Sequence, residues 1–165
     1  MNRSWLGRLL DRLTDARSAA DDADRSLAPQ PYVLEGQVTL DELLAFRAWG
    51  EVLAEPYAPA TQAVEDIAAR LAGAELLVFL ATWCGDCKRE LPRLLHVLAS
   101  AGWPDERLRL VGVDWDKRDP DGLVETWCVE RVPTLIIARE GREIGRLVER
   151  PRQSLEQDLA ALLGA

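Results

Sequence analysis

The sequence predicts an α/β domain, a mixed β-sheet with helices on both faces, preceded by a helical N-terminal extension. Two observations carry this. From residue 61 onward the apolar pattern alternates between helical spacing and short continuous runs, in the order α-β-α-β-α-β-β-α. Alternation of that kind gives parallel strands joined by crossover helices, and the closing hairpin adds an antiparallel edge. The 165 residues, with 48% apolar content, are enough for one core. We therefore expect one principal domain over 59–165, with an extension and linker over 1–58.

Taken in order, residues 2–20 read as an amphipathic helix. Trp5, Leu6, Leu9, Leu10 and Leu13 share a face, with Arg3, Arg8, Arg12 and Asp15 away from it. Such a helix can dock on the domain, or it can meet a membrane surface or a partner, since Trp and Arg suit an interface. Both readings stay open. Residues 21–31, acidic and then proline-containing, form a linker. Residues 32–34 suggest a short strand. A capping box of Thr39 and Glu42 opens a helix over 39–54, with Leu40, Leu43, Leu44 and Trp49 as its buried stripe; Pro56 and Pro59 break it. The next helix, 61–72, turns Val64, Ile67, Ala68 and Leu71 inward and ends at Gly73.

The continuous apolar run over 76–80 is a buried strand. Behind it, Leu91, Leu94, Leu95 and Leu98 recur at helical spacing over 89–101, with Pro92 expected to kink that helix and Gly102 to end it. A second buried strand covers 108–113, a short helix 120–127, and a third strand 134–138. Glu140-Gly141-Arg142 makes a turn into a fourth strand over 143–148. Ser154 and Gln157 cap the last helix, which buries Leu155, Leu159, Leu162 and Leu163.

Between the first buried strand and its helix lies Trp83-Cys84-Gly85-Asp86-Cys87-Lys88. Two cysteines three apart on a first helical turn share a face, close enough to join. The first meets unpaired backbone N–H groups and the positive end of the helix dipole, both of which favour thiolate. Cys84 is thus the expected attacking thiol and Cys87 the more buried resolving one. Zinc needs two more ligands, and His96 and Cys128 are the remaining soft candidates; neither forms a second paired motif. Cys128 reads as a small buried apolar residue, with a regulatory thiol as the sharper alternative. His96 lies too far along its helix to activate Cys84. Trp83 should cover the nucleophile, Trp115 should line the same end of the sheet, and Trp49, Trp103 and Trp127 should pack.

The formal net charge of −8 argues against nucleic acid as a partner. Three cysteines do not make a disulfide framework. No stretch is long enough to span a membrane, and Arg8, Asp11 and Arg12 interrupt any signal-type apolar run. The expected location is the reducing cytoplasm, where a vicinal dithiol is more often catalytic or metal-binding than structural.

The chain resembles the thioredoxin family over roughly residues 61–164. Trp83 to Lys88 is similar to the family's Trp-Cys-Gly-Pro-Cys-Lys, Pro92 stands at the family's helix-kinking proline, and Val132-Pro133-Thr134 matches the signature whose proline is cis. The resemblance implies a thioredoxin-like sheet and a thiol–disulfide oxidoreductase. It would act on disulfide-containing proteins through Cys84 and Cys87, without metal or organic cofactor, and be re-reduced by an external electron donor. It further implies that Trp83, Val132 and Pro133 contact substrate, with the Val132 backbone pairing to an incoming strand.

Three positions depart from the family pattern. Val78 stands at a buried acid that aids proton transfer, leaving water, Asp114 or Glu90 for that task. Asp86 replaces proline between the cysteines. Its carboxylate either raises the thiol pKa, favouring a reductant, or points to solvent and is screened. Glu149 stands at a groove glycine, which narrows the substrate range. The rival reading, of another class, is a redox-switched binding or adaptor module working through residues 1–60.

Overall fold

A computed structural model of the chain describes Arg8, Asp11, Arg12, Asp15 and residues 33–46 and 49–165. Those first four residues are helical and exposed. The apolar face expected within 2–20 and the linker over 21–31 lie outside the described residues. Five strands form one sheet in the order β1-β3-β2-β4-β5. They are β1 (Gly36–Val38), β2 (Ala74–Leu80), β3 (Leu108–Gly112), β4 (Thr134–Arg139) and β5 (Arg142–Val148). The helices are α1 (Leu40–Ala45), α2 (Trp49–Leu53), α3 (Thr61–Arg70), α4 (Gly85–Ala101), α5 (Leu123–Thr126) and α6 (Leu155–Leu163). Among the described residues, no helix is long and apolar enough to cross a membrane.

β2 lies at the centre because nearly all of it is apolar on both faces: Leu76, Leu77, Val78, Phe79 and Leu80 are all buried. It runs parallel to β3, with Leu80 opposite Gly112. It pairs antiparallel with β4, with Phe79 opposite Thr134. The sequence pattern suggested a parallel β4. The link from β3 contains only one helical turn, α5, so the chain does not cross the sheet and re-enters at the end where β2 and β3 finish. Glu140 and Gly141, both with positive φ, then make the tight turn into β5, the other edge strand.

α3, α4 and α6 pack against one another, α2 packs on α4, and α6 on β5. Gly145 of β5 lets α6 approach closely: a Cβ there would sit 2.5 Å from Leu162. Both expected capping boxes form, Thr39 with Glu42 at α1 and Ser154 with Gln157 at α6. Each satisfies two of the orphan N–H groups at its helix start.

Three local expectations change. The first strand is β1, just after the suggested 32–34. It pairs antiparallel with β3, and the chain at Leu34 passes so near Gly112 that a Cβ there would lie 2.2 Å from the Leu34 carbonyl oxygen. The helix over 39–54 is two helices, α1 and α2. Phe46 adopts an extended backbone, which carries both Phe46 and Trp49 into the core. On α3, Ala63 and Ile67 face inward and Ala68 is exposed.

Candidate active site

β2 ends at Leu80, and four residues later Cys84 caps the N-terminus of α4. Its sulfur accepts the Cys87 backbone N–H at 3.2 Å, the bond that a Ser or Asp cap would make. The Cys87 sulfur accepts the Ala81 N–H at 3.5 Å from the turn beneath. Neither thiol is in a disulfide. Cys84 is 9% exposed and Cys87 fully buried. The two differ sharply in acidity. A hydrogen bond from the Cys87 thiol, aided by backbone N–H groups, outweighs burial and brings Cys84 down to about 6. The same shared hydrogen bond, with burial, pushes Cys87 upward. One proton held between two sulfurs makes Cys84 the thiolate.

Asp86 is held by two guanidinium groups, Arg89 at 2.6 Å and Arg150 at 3.3 Å. The Arg89 hydrogen bond comes first among the causes that keep its carboxyl below the usual range. Its charge still works against the Cys84 thiolate, but as the smallest of the influences on that sulfur. Of the two readings of Asp86, the geometry gives neither in pure form: the carboxylate is ion-paired, not free to solvent.

Facing the sulfurs is the Val132–Pro133 bond, which is cis. The Val132 carbonyl oxygen lies 3.5 Å from the Cys84 sulfur. Thr134 and Glu149 brace this segment: the Thr134 hydroxyl donates to the Arg131 carbonyl at 2.6 Å, and the Glu149 N–H donates to the Pro133 carbonyl at 2.7 Å. Glu149 has φ 62°, a region where glycine is favoured, and its carboxylate accepts from Arg131 at 2.9 Å.

Together these residues border an open groove of ≈ 650 Å³, with Trp83, Cys84 and Val132 along it and Lys117 on one wall. Trp115 stacks on Trp83 with ring centroids 5.1 Å apart. Asp114 turns inward on its own loop, its Oδ1 accepting the N–H groups of Asp116 and Arg118 at 2.8 Å each. Glu90, one turn beyond Cys87, is 3% exposed; Oε1 takes Arg89 at 2.7 Å and Oε2 has no partner.

A family model described as Thioredoxin matches residues 61–161 of this chain. The chain belongs to the thioredoxin family. Thioredoxin H2-1 of Oryza sativa subsp. japonica is 38% identical over 87 residues, covering 51% of this chain and 56% of that protein. A thioredoxin of Echinococcus granulosus is 37% identical over 82 residues, covering 48% of this chain and 71% of that one. The chain thus spans little more than half of the rice protein. Among solved structures, Trxlp from Edwardsiella tarda EIB202 shares 27% identity, with a TM-score of 0.41, over 66% of this chain and 95% of that one.

Within this thioredoxin-family domain the sequence pointed to Cys84, Cys87, Trp83, Val132, Pro133 and Asp86, and they do come together at one end of the sheet. Asp114 lies on the neighbouring loop. Arg89, Arg150 and Arg131, which pair the acids of the groove, were not singled out. Arg89 was findable, three residues beyond Asp86 on one helix face. Arg150 was not, because only the turn after β5 brings it near. Cys128, expected to be buried, is exposed instead: it follows α5 with φ 51°, which turns it out of the packed layer. His96 meets the Glu55 carbonyl at 3.1 Å, away from the sulfurs. Among the described residues, no three His, Cys, Asp or Glu side chains converge as a metal ion would need.

A thiol with a pKa of about 6 is about 90% ionised at pH 7, where an ordinary cysteine is only a few per cent thiolate. Iodoacetamide alkylation of the reduced protein should therefore label Cys84 before Cys87. Its rate should rise with pH to a plateau with a midpoint near 6. A midpoint above 8, or first labelling at Cys87, contradicts this arrangement.

Proposed function

We propose that the chain is a thiol–disulfide oxidoreductase that reduces disulfides in proteins. The observation that carries this is the placement of two free sulfurs at the start of α4, one capping the helix beside the Val132 carbonyl and its neighbour fully buried behind it, an arrangement that favours thiolate at the first and thiol at the second. The Cys84 thiolate attacks one sulfur of a substrate disulfide. A Cys84–substrate disulfide forms, the substrate S–S bond breaks, and the other substrate sulfur leaves as a thiolate. Cys87 then loses its proton and attacks the Cys84 sulfur, releasing the second substrate sulfur and closing a Cys84–Cys87 disulfide. Two electrons pass to the substrate, its two thiolates take up two protons, and an external dithiol donor restores the pair.

The geometry supports roles for the surrounding groups. The Val132 backbone lies beside the attacking sulfur, where an extended substrate segment would pair with it. Val78 supplies no acid, so another group assists proton removal from Cys87. Glu90 suits this better than Asp114: it shares the Cys87 helix and keeps one buried oxygen unpaired, whereas Asp114 is tied into its own turn. The scarcity of cysteines outside the pair fits a reducing cytoplasm, and a strongly oxidising potential for the pair overturns that placement. The test of activity is reduction of the interchain disulfides of insulin with dithiothreitol as donor. Catalysis well above the dithiothreitol background is expected, and a rate equal to background removes the reading.

A further inference from the structure

Trp115 is 64% exposed and, with Val148, one of only two large apolar residues exposed among the described residues. Both sit beside the groove. Trp115 lies one residue past Asp114, on the loop that also carries Lys117 to the groove wall. Val148 is paired with Thr134, next to Pro133, and precedes Glu149. Trp115 is also held in place: its ring stacks on Trp83 with planes 13° apart, and the loop beneath is closed by the Asp114 N–H donating to the Arg118 carbonyl at 2.9 Å and the Arg118 N–H donating to the Asp114 carboxylate at 2.8 Å. An indole fixed on one face and open on the other is a ready surface for a second flat or apolar side chain, since little freedom remains to be lost on binding.

The charged groups of the groove compete poorly for that task. Arg131 is paired with Glu149, and Arg89 and Arg150 with Asp86. Lys117 alone among the groove's charged side chains makes no ion pair with the described residues, and a single exposed lysine contributes little in salt. Apolar contact is what remains to discriminate between substrates.

We propose that Trp115 is a specificity-determining residue of this site, selecting polypeptide disulfides whose reactive cysteine stands next to an aromatic or other large apolar side chain, which stacks on the open face of its indole. This rests on the disulfide-exchange reading above and adds the class of substrate to it.

The experiment compares three peptide disulfides that differ only in the residue flanking the cysteine, Phe, Ser or Asp, with the wild type, Trp115→Ala and Trp115→Phe. For the wild type, kcat/KM should favour the Phe peptide over the Ser peptide about tenfold, mostly through KM. In Trp115→Ala that ratio should fall to about one, and Trp115→Phe should restore most of it. Because the readout is a ratio within each variant, a general loss of folding or of thiol reactivity does not produce it. A Phe preference that persists in Trp115→Ala overturns the proposal, as does equal use of the Phe and Ser peptides by the wild type. A preference for the Asp peptide that fades with added salt assigns selection to Lys117 and overturns it too. If the wild type turns over none of the three, the exchange reading itself fails and takes this subsite with it.

Discussion

Cys84→Ser should abolish insulin reduction, lowering turnover by on the order of a thousandfold or more to background. A serine hydroxyl can keep the cap bond to the Cys87 N–H, so α4 should still start where it does and the fold should survive. What disappears is the nucleophile: no hydroxyl at this site approaches the acidity of a thiol brought down to about 6. Cys87→Ser should behave differently. The first attack still occurs, but the partner that releases the substrate is gone, so a Cys84–substrate disulfide should accumulate and be visible as a covalent adduct on a non-reducing gel. Cys87→Ala, which leaves no side-chain donor at that position, removes the strongest cause of the low Cys84 pKa, so the alkylation midpoint should move upward in that variant. An active Cys84→Ser, or no adduct in Cys87→Ser, would end the assignment of these two roles.

Trp49→Ala should cost about 3–5 kcal/mol of unfolding free energy, the range for emptying a large aromatic site. Trp49 is 2% exposed and sits among the core residues, together with Leu43, Phe46 and Leu53 from the same stretch. Its indole N–H donates to the Thr82 carbonyl at 3.1 Å, two residues before the nucleophile. For a chain of this length the loss corresponds to a fall in melting temperature of about 10 °C or more. Trp49→Phe keeps most of the ring and drops the hydrogen bond, and should cost about 1–3 kcal/mol because the Thr82 carbonyl loses its donor. Chemical denaturation monitored by circular dichroism distinguishes the two. A loss under 1 kcal/mol for Trp49→Ala would mean that α2 contributes nothing to the core. Trp49 lies before the 61–161 stretch that the family model matches, yet it supports the turn that presents Cys84.

The sequence made the reactive turn legible because its signals are local. A continuous apolar run, two cysteines at helical spacing and a periodic helix behind them occupy one uninterrupted segment. The capping boxes at Thr39 and Ser154 were readable for the same reason. What was not readable depends on distant partners. The break between α1 and α2 has no glycine or proline to announce it; Phe46 leaves the helix to reach the core. The antiparallel entry of β4 follows from how little of the preceding link is helical, which composition does not reveal. Cys128 faces outward because of one positive φ. The Arg150–Asp86 ion pair joins residues 64 positions apart, and the stacking of Trp115 on Trp83 joins the ends of two different strands.

β5 is bonded to a neighbour on one side only, at the margin of the sheet. Such a margin invites a stray polypeptide to add itself, copy upon copy, into a fibre. Arg142, Glu143 and Arg146 are spaced along this strand, and an added strand would have to strip water from them. Arg146 is also tethered, its guanidinium donating to the Trp127 carbonyl at 2.8 Å. Immediately beyond, the backbone of Glu149 veers into a conformation that cannot continue the ladder. The strand that helps frame the groove is thereby guarded on its open edge while the reactive end stays accessible.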